Sequence, residues 1–204
     1  MRRLLSILAV CCCVIPNSSF ADEDPATGKL LIATDEVQGS SFFKTVILLL
    51  HYDESGALGI VINRPTEATP DELLPELEGI KDYEGMTYWG GPVRLATMRA
   101  LHKTDSPTDD EIHVFDSVHQ MPLDEKLPAG EKNDKNLRFF IGYAGWSPGQ
   151  LDREILFDSW HIVQATEEDV FTDDPDMLWE KLSPPRHYRA SVEEPVQTSI
   201  WAEY

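Results

Sequence analysis

The chain has 204 residues, 42% of them hydrophobic, and sets 17 Lys and Arg against 36 Asp and Glu, for a formal net charge of −19. That balance argues against a nucleic-acid binder, whose affinity comes largely from cations on phosphates; the densest basic run is only Arg186-His187-Tyr188-Arg189. The length suits one domain with a sizeable core, and the acidity in itself implies solubility rather than a particular partner.

In chain order, Met1-Arg2-Arg3, an apolar run over 4–15 and the small residues Ser19 and Ala21 around Phe20 predict a secretory signal occupying 1–21. Leu8-Ala9-Val10-Cys11 is a poor lipobox because Val10 is large, and Arg2-Arg3 lacks the rest of a twin-arginine motif. The apolar run is too short for a comfortable membrane span, so no stable membrane insertion is expected once it is removed. Cleavage would leave 183 residues, a charge of −21 and no cysteine, since Cys11, Cys12 and Cys13 all lie in the removed part. Disulfides and cysteine metal sites are thereby excluded, and the expected location is periplasmic or secreted.

Residues 28–34 read as a first strand and 45–52 as a second, nearly continuous in apolar residues and therefore expected to be buried on both faces. Asp53-Glu54-Ser55-Gly56 supplies a turn, and 57–63 returns as the partner of a hairpin. Thr69-Pro70-Asp71-Glu72 carries the signature of a capped helix start, with the helix expected to run to about Leu77. Further strands are predicted at 87–89, 98–102, 112–115, 137–143 and 160–165. A helix is expected from Pro148 and another from Asp174-Pro175-Asp176, with 125–136 a polar loop that could hold a short helix. Strands outnumber helices without alternating regularly with them, which predicts an α+β domain over 22–182 followed by a proline-containing extension over 183–204.

Five motifs in a fixed order resemble the AlgH/YqgE family: Gly28-Lys29-Leu30-Leu31-Ile32-Ala33, Phe43-x-Thr45-Val46, residues 56–65, Gly90-Gly91-Pro92-Val93 and residues 142–151. The resemblance covers about 28–182. It implies a bent, bifurcated, mostly antiparallel sheet flanked by a few short helices, in a family of regulators with no established catalysis. The predicted signal and the extension depart from that pattern and argue against a cytoplasmic transcriptional role.

The last of these motifs has two readings. Gly145-x-Ser147-x-Gly149 between a strand and a helix matches the nucleophile elbow of serine hydrolases, with Asp173, Asp174 and His187 following in the right order. Pro148 opposes this, because the oxyanion hole of those enzymes uses the N–H of the residue after the nucleophile and proline has none. Ser147-Pro148-Gly149-Gln150 instead fits a helix start with Ser147 as N-cap, Pro148 at the first position and Gln150 capping in return. This second reading is preferred, so no catalytic residue is assigned, and the glycines serve either a structural turn or a backbone surface for a ligand.

The expected binding face therefore gathers Asn63, Arg64, Gly90, Gly91, Trp146, Gln150 and Glu154, and its occupant is a protein or a small ligand. Arg64 could take a carboxylate in bidentate fashion, or it could pair internally with an acid such as Glu154 while Asn63 satisfies turn amides. The six histidines show no close ligand spacing; His113 and His119 with Asp116 form the nearest cluster. Neither a metal nor a cofactor is expected, and no phosphate loop, zinc motif or dinucleotide fingerprint is present. Oligomeric state is not legible.

Overall fold

The computed structural model describes residues 23–83, 85–123 and 135–184; the predicted signal, most of the extension and most of the 125–136 loop lie outside them. Nine strands are formed among the described residues: β1 (Lys29–Ala33), β2 (Val46–Asp53), β3 (Gly56–Val61), β4 (Thr87–Trp89), β5 (Val93–Lys103), β6 (Ile112–Phe115), β7 (Val118–Met121), β8 (Leu137–Trp146) and β9 (Trp160–Gln164). Four short helices accompany them: α1 (Pro70–Leu73), α2 (Gln150–Leu156), α3 (Glu167–Val170) and α4 (Leu178–Leu182). Three further turns are of 3-10 type, at Asp35–Val37, Ile80–Asp82 and Pro175–Met177. The domain is α+β, as its sequence pattern implies.

The sheet runs β6-β7-β5-β8-β3-β2-β1-β9, with β4 added on β8. Every pairing is antiparallel except β4 with β8. β8 is the strand at which the curled sheet divides. Its first part pairs with β5 on one edge and β4 on the other, while Ala144, Gly145 and Trp146 pair with β3. Gly142, at the change-over, has a φ of 67°, and β5 is interrupted opposite it between Val93 and Met98. An extra stretch of residues in one strand bends the pair and increases its twist, which turns one sheet into two diverging halves.

The larger core lies under β1, β2, β3 and β9 and takes in Trp146, Leu151, Val170, Leu178 and Trp179. A smaller one gathers Leu77, Ile80, Tyr83, Ala100, Met121, Leu137 and Phe139. α4 is tied to the first by Trp179 Nε1, which donates to the Ala33 carbonyl at 2.7 Å.

Several expectations need correction. β2 is buried on both faces only over Val46–Leu49; His51 and Asp53 are exposed, because the strand outruns its covering layer toward the hairpin turn. α1 stops at Leu73, and Leu77 reaches the small core from the turn that follows. Its predicted start holds: the Thr69 N–H donates to Glu72 Oε2 at 3.1 Å. β5 and β8 are longer than their apolar segments, since pairing with each other continues beyond the hydrophobic stretch. β7 and α3 were not expected. β7 is four residues with two of them polar, too short for a period to show, and α3 is one turn held by Thr166 Oγ1 accepting from the Asp169 N–H at 3.2 Å.

Candidate functional site

The 142–151 segment decides between hydrolase elbow and helix entry, and it is a turn of a different kind from either. α2 starts at Gln150, and its N-cap is Gly149 in left-handed backbone, φ 68° and ψ 6°. The Gln150 N–H donates to the Ser147 carbonyl at 2.9 Å. Pro148 and Gly149 therefore occupy the two central positions of a β-turn, where proline suits the first and a positive φ requires glycine at the second in the type II form. Ser147 is not the N-cap, contrary to the sequence reading. A turn that must end in left-handed geometry puts the helix start at Gln150, two residues later than the start at Pro148 that a Ser147 cap predicts. The reciprocal half of the expected cap does form, with Gln150 Oε1 accepting from the Ser147 N–H at 3.1 Å. The Ser147 side chain is exposed, and among the described residues no histidine or carboxylate is hydrogen-bonded to it. Asp173, one candidate acid, is held by Lys135 at 2.9 Å, which also lowers its pKa; His187 lies outside the described residues.

Glu154 and Trp146 meet, but not through Arg64. Glu154 Oε2 accepts from Trp146 Nε1 and from Trp160 Nε1, each at 2.8 Å, and Oε1 accepts from Gln150 Nε2 at 2.9 Å. One carboxylate thus satisfies two buried indoles and the side chain that closes the β-turn. The expected Arg64–Glu154 pair is absent because the indoles already fill that carboxylate. Arg64 Nη2 instead donates to the Phe43 carbonyl at 2.7 Å, and its guanidinium lies 5.3 Å from the centre of the Trp89 ring. Burial lowers its pKa below the ordinary arginine value. Asn63 behaves as expected for a turn-satisfying side chain: Oδ1 accepts from the Val46 N–H at 2.8 Å and Nδ2 donates to the Lys44 carbonyl at 3.0 Å.

An arc of rings joins the two ends of this region. Trp89 packs on Phe42 at 6.1 Å, Phe42 on Trp160 at 5.9 Å edge-on, and Trp160 on Trp146 at 6.1 Å edge-on. The arc runs from Arg64 to Glu154, and Trp160, Trp89 and Phe42 are members that sequence reasoning did not single out. The available signal was their position at strand ends and beside the Phe43-x-Thr45-Val46 motif; no periodicity reveals which rings meet. Gly90 and Gly91 are placed elsewhere in the logic. A Cβ on Gly90 would strike the Gly142 carbonyl and one on Gly91, at φ 149°, the Tyr143 backbone. Their role is the close crossing of the β4–β5 connection over β8, so they shape the site without presenting backbone to a ligand.

The AlgH-like family profile matches residues 30–184. The chain belongs to this family. Similar AlgH-like sequences include a UPF0301 protein of Chlorobium limicola, 34% identical over 158 residues, covering 76% of this chain and 83% of that one. A UPF0301 protein of Streptomyces avermitilis is 32% identical over 171 residues, covering 81% and 89%. Two solved structures share the fold. A protein of Corynebacterium diphtheriae matches with a TM-score of 0.65 at 20% identity, covering 80% of this chain and 90% of its own. The AlgH protein of Pseudomonas aeruginosa matches with a TM-score of 0.60 at 23% identity, covering 79% and 89%. The curled, dividing sheet described above is thus the AlgH-like fold.

Elsewhere in this AlgH-like domain the histidines are used locally. His113 packs edge-on against His119 at 5.3 Å and its Nε2 lies 3.1 Å from the Asp116 carbonyl, while His102 Nδ1 meets both oxygens of Glu111 at 3.1 and 3.2 Å. Among the described residues no three His, Asp or Glu side chains converge as a metal ion requires.

Proposed function

We propose that this AlgH-like chain is exported and acts without catalysis, binding a protein or small ligand through the face where Arg64, Trp89 and Phe42 meet. The observation that carries the reading is the state of Arg64. It is half-buried, seated on Trp89, bonded to one backbone carbonyl, and among the described residues no carboxylate lies within ion-pair distance, in a chain with twice as many acids as bases. A planar guanidinium held on an indole keeps its remaining N–H groups arranged for a carboxylate or carbonyl of a partner. The exposed Ser147 and the missing N–H of Pro148 support the non-catalytic part, and the charged-then-apolar order of 1–15 supports export. No described helix is long and apolar enough to cross a membrane.

Fractionation of cells carrying a C-terminally tagged chain tests the location. Export predicts tagged protein in the periplasm or medium with an N-terminus at Asp22; full-length cytosolic protein refutes it. Binding is tested by cross-linking in the same fraction: Arg64→Ala abolishes an adduct that Ser147→Ala leaves intact. Ester hydrolysis that disappears in Ser147→Ala would instead establish the hydrolase.

A further inference from the structure

The two central strands carry charge of the opposite sign to the rest of the molecule. β5 contains Arg94, Arg99 and Lys103 and β8 adds Arg138, with no Asp or Glu in either strand. Two of these cations are accounted for internally. Lys103 and Arg138 both stack on Phe171, at 5.4 and 5.6 Å, and Arg138 also donates to the Tyr88 hydroxyl at 2.7 Å and to the Thr172 carbonyl.

Arg99 is not. Its guanidinium lies 5.1 Å from the centre of the Tyr143 ring, Nη1 donates to Gln120 Oε1 at 3.1 Å, and Nε is buried with no acceptor. Among the described residues no carboxylate lies within ion-pair distance of it. A cation withdrawn from water ordinarily gains a counter-charge, and a buried donor left unbonded is unfavourable. Arg99 has neither; burial first, and then the like charge of Arg94, hold its pKa below the ordinary arginine value.

Arg94 is itself forced into place. It sits in the interruption of β5 with left-handed backbone, φ 50°, and its carbonyl accepts from Thr97 Oγ1 at 2.8 Å. A side chain other than glycine in that conformation is strained, and such strain persists where the surroundings impose it. The surroundings are the crossing at Gly91, which seats the connection against the Tyr143 backbone beneath Arg99. Arg99, fixed on the Tyr143 ring with the Gln120 amide beside it, and Arg94, which follows the residue paired with Tyr143, carry like charges that disfavour each other when alone and become favourable when an anion arrives.

We propose that Arg94, Arg99 and Gln120 form a site for a small oxyanion, a carboxylate or phosphate group, seated beside Tyr143. Gln120 Oε1 orients the Arg99 fork and leaves the amide N–H groups as further donors. This site stands independently of the Arg64 face.

The purified protein is titrated at low ionic strength with inorganic phosphate and, separately, with succinate, using calorimetry and the arginine Nε–H resonances in NMR. The expected result is saturable one-to-one binding of at least one of them with a shift of the Arg99 Nε–H signal. Phosphate alone assigns a phosphate group and succinate alone a carboxylate. Arg99→Lys, which keeps the charge but loses the fork, is expected to weaken binding by about tenfold, as is Arg94→Ala, while Ser147→Ala leaves it unchanged. Thermal melts of each variant separate weakened binding from unfolding. Absence of saturable binding of either anion, or binding untouched by both variants in their folded state, overturns the site.

Discussion

Replacing Glu154 tests the chemistry that holds the region together. Trp146 and Trp160 are only 7% and 3% exposed, and both indole N–H groups end on one carboxylate oxygen of Glu154. Glu154→Ala leaves two donors sealed from water, each unfavourable by about 1–3 kcal/mol, and also frees the Gln150 amide that helps set the β-turn. The expected loss is about 3–5 kcal/mol, a large part of the total stability of an ordinary domain. Glu154→Gln keeps an oxygen facing both indoles but loses the charge and sets an amide against the Gln150 amide, so about 1–2 kcal/mol is expected. Urea unfolding followed by tryptophan fluorescence and by far-UV circular dichroism measures both. Equal losses in the two variants, or a loss below about 1 kcal/mol for Glu154→Ala, would show that the indoles do not depend on this carboxylate.

Two further outcomes are expected. Gly149→Ala meets no neighbour within 4 Å and suffers only its positive φ, about 1 kcal/mol, whereas Gly91→Ala collides with the Tyr143 backbone as well and should be far more damaging; paired thermal melts compare them. Tyr52 donates to Asp152 Oδ1 at 2.5 Å, and this hydrogen bond is the main reason its pKa is pushed up to about 12 from 10.0. Because the folded value is the higher one, its contribution is fully present below pH 10 and is lost as the pH rises through about 12. The hydrogen bond is exposed, so the effect on stability is small; absorbance titration should show, besides Tyr88, whose pKa burial also raises, a late tyrosine that Asp152→Asn moves back toward 10.0.

Fold class was legible because β1, β2 and β3 carry dense apolar residues bounded by clear turns, and because the family motifs sit where the chain turns or crosses itself. Boundaries failed where tertiary pairing outran the local pattern, as in β5 and β8, or where an element was one turn long, as in α3. At the site, Asn63 was readable because a polar residue ending a buried strand has few ways to be satisfied. Arg64 reads from sequence as a candidate, but its expected pairing with Glu154 does not form, since nothing local says that two indoles from β8 and β9 claim that carboxylate first. Ser147 misled for a related reason: capping rules weigh the hydroxyl, while the backbone geometry of Pro148-Gly149 set the true helix start. Arg94 and Arg99 passed unnoticed because a backbone interruption and a missing counter-charge are visible only in three dimensions.

β8 joins both halves of the sheet, and β1 is closed on its outer edge only by β9. A growing chain therefore cannot complete either half-sheet until residue 146 is available, nor cover β1 until residue 164 is. The N-terminal hairpin waits through most of synthesis with an unsatisfied edge, and distant pairings of this kind form slowly. For a polypeptide that must thread a narrow channel before folding, that delay is an open window; for one released into a crowded compartment, the same interval is when a holding chaperone would matter most.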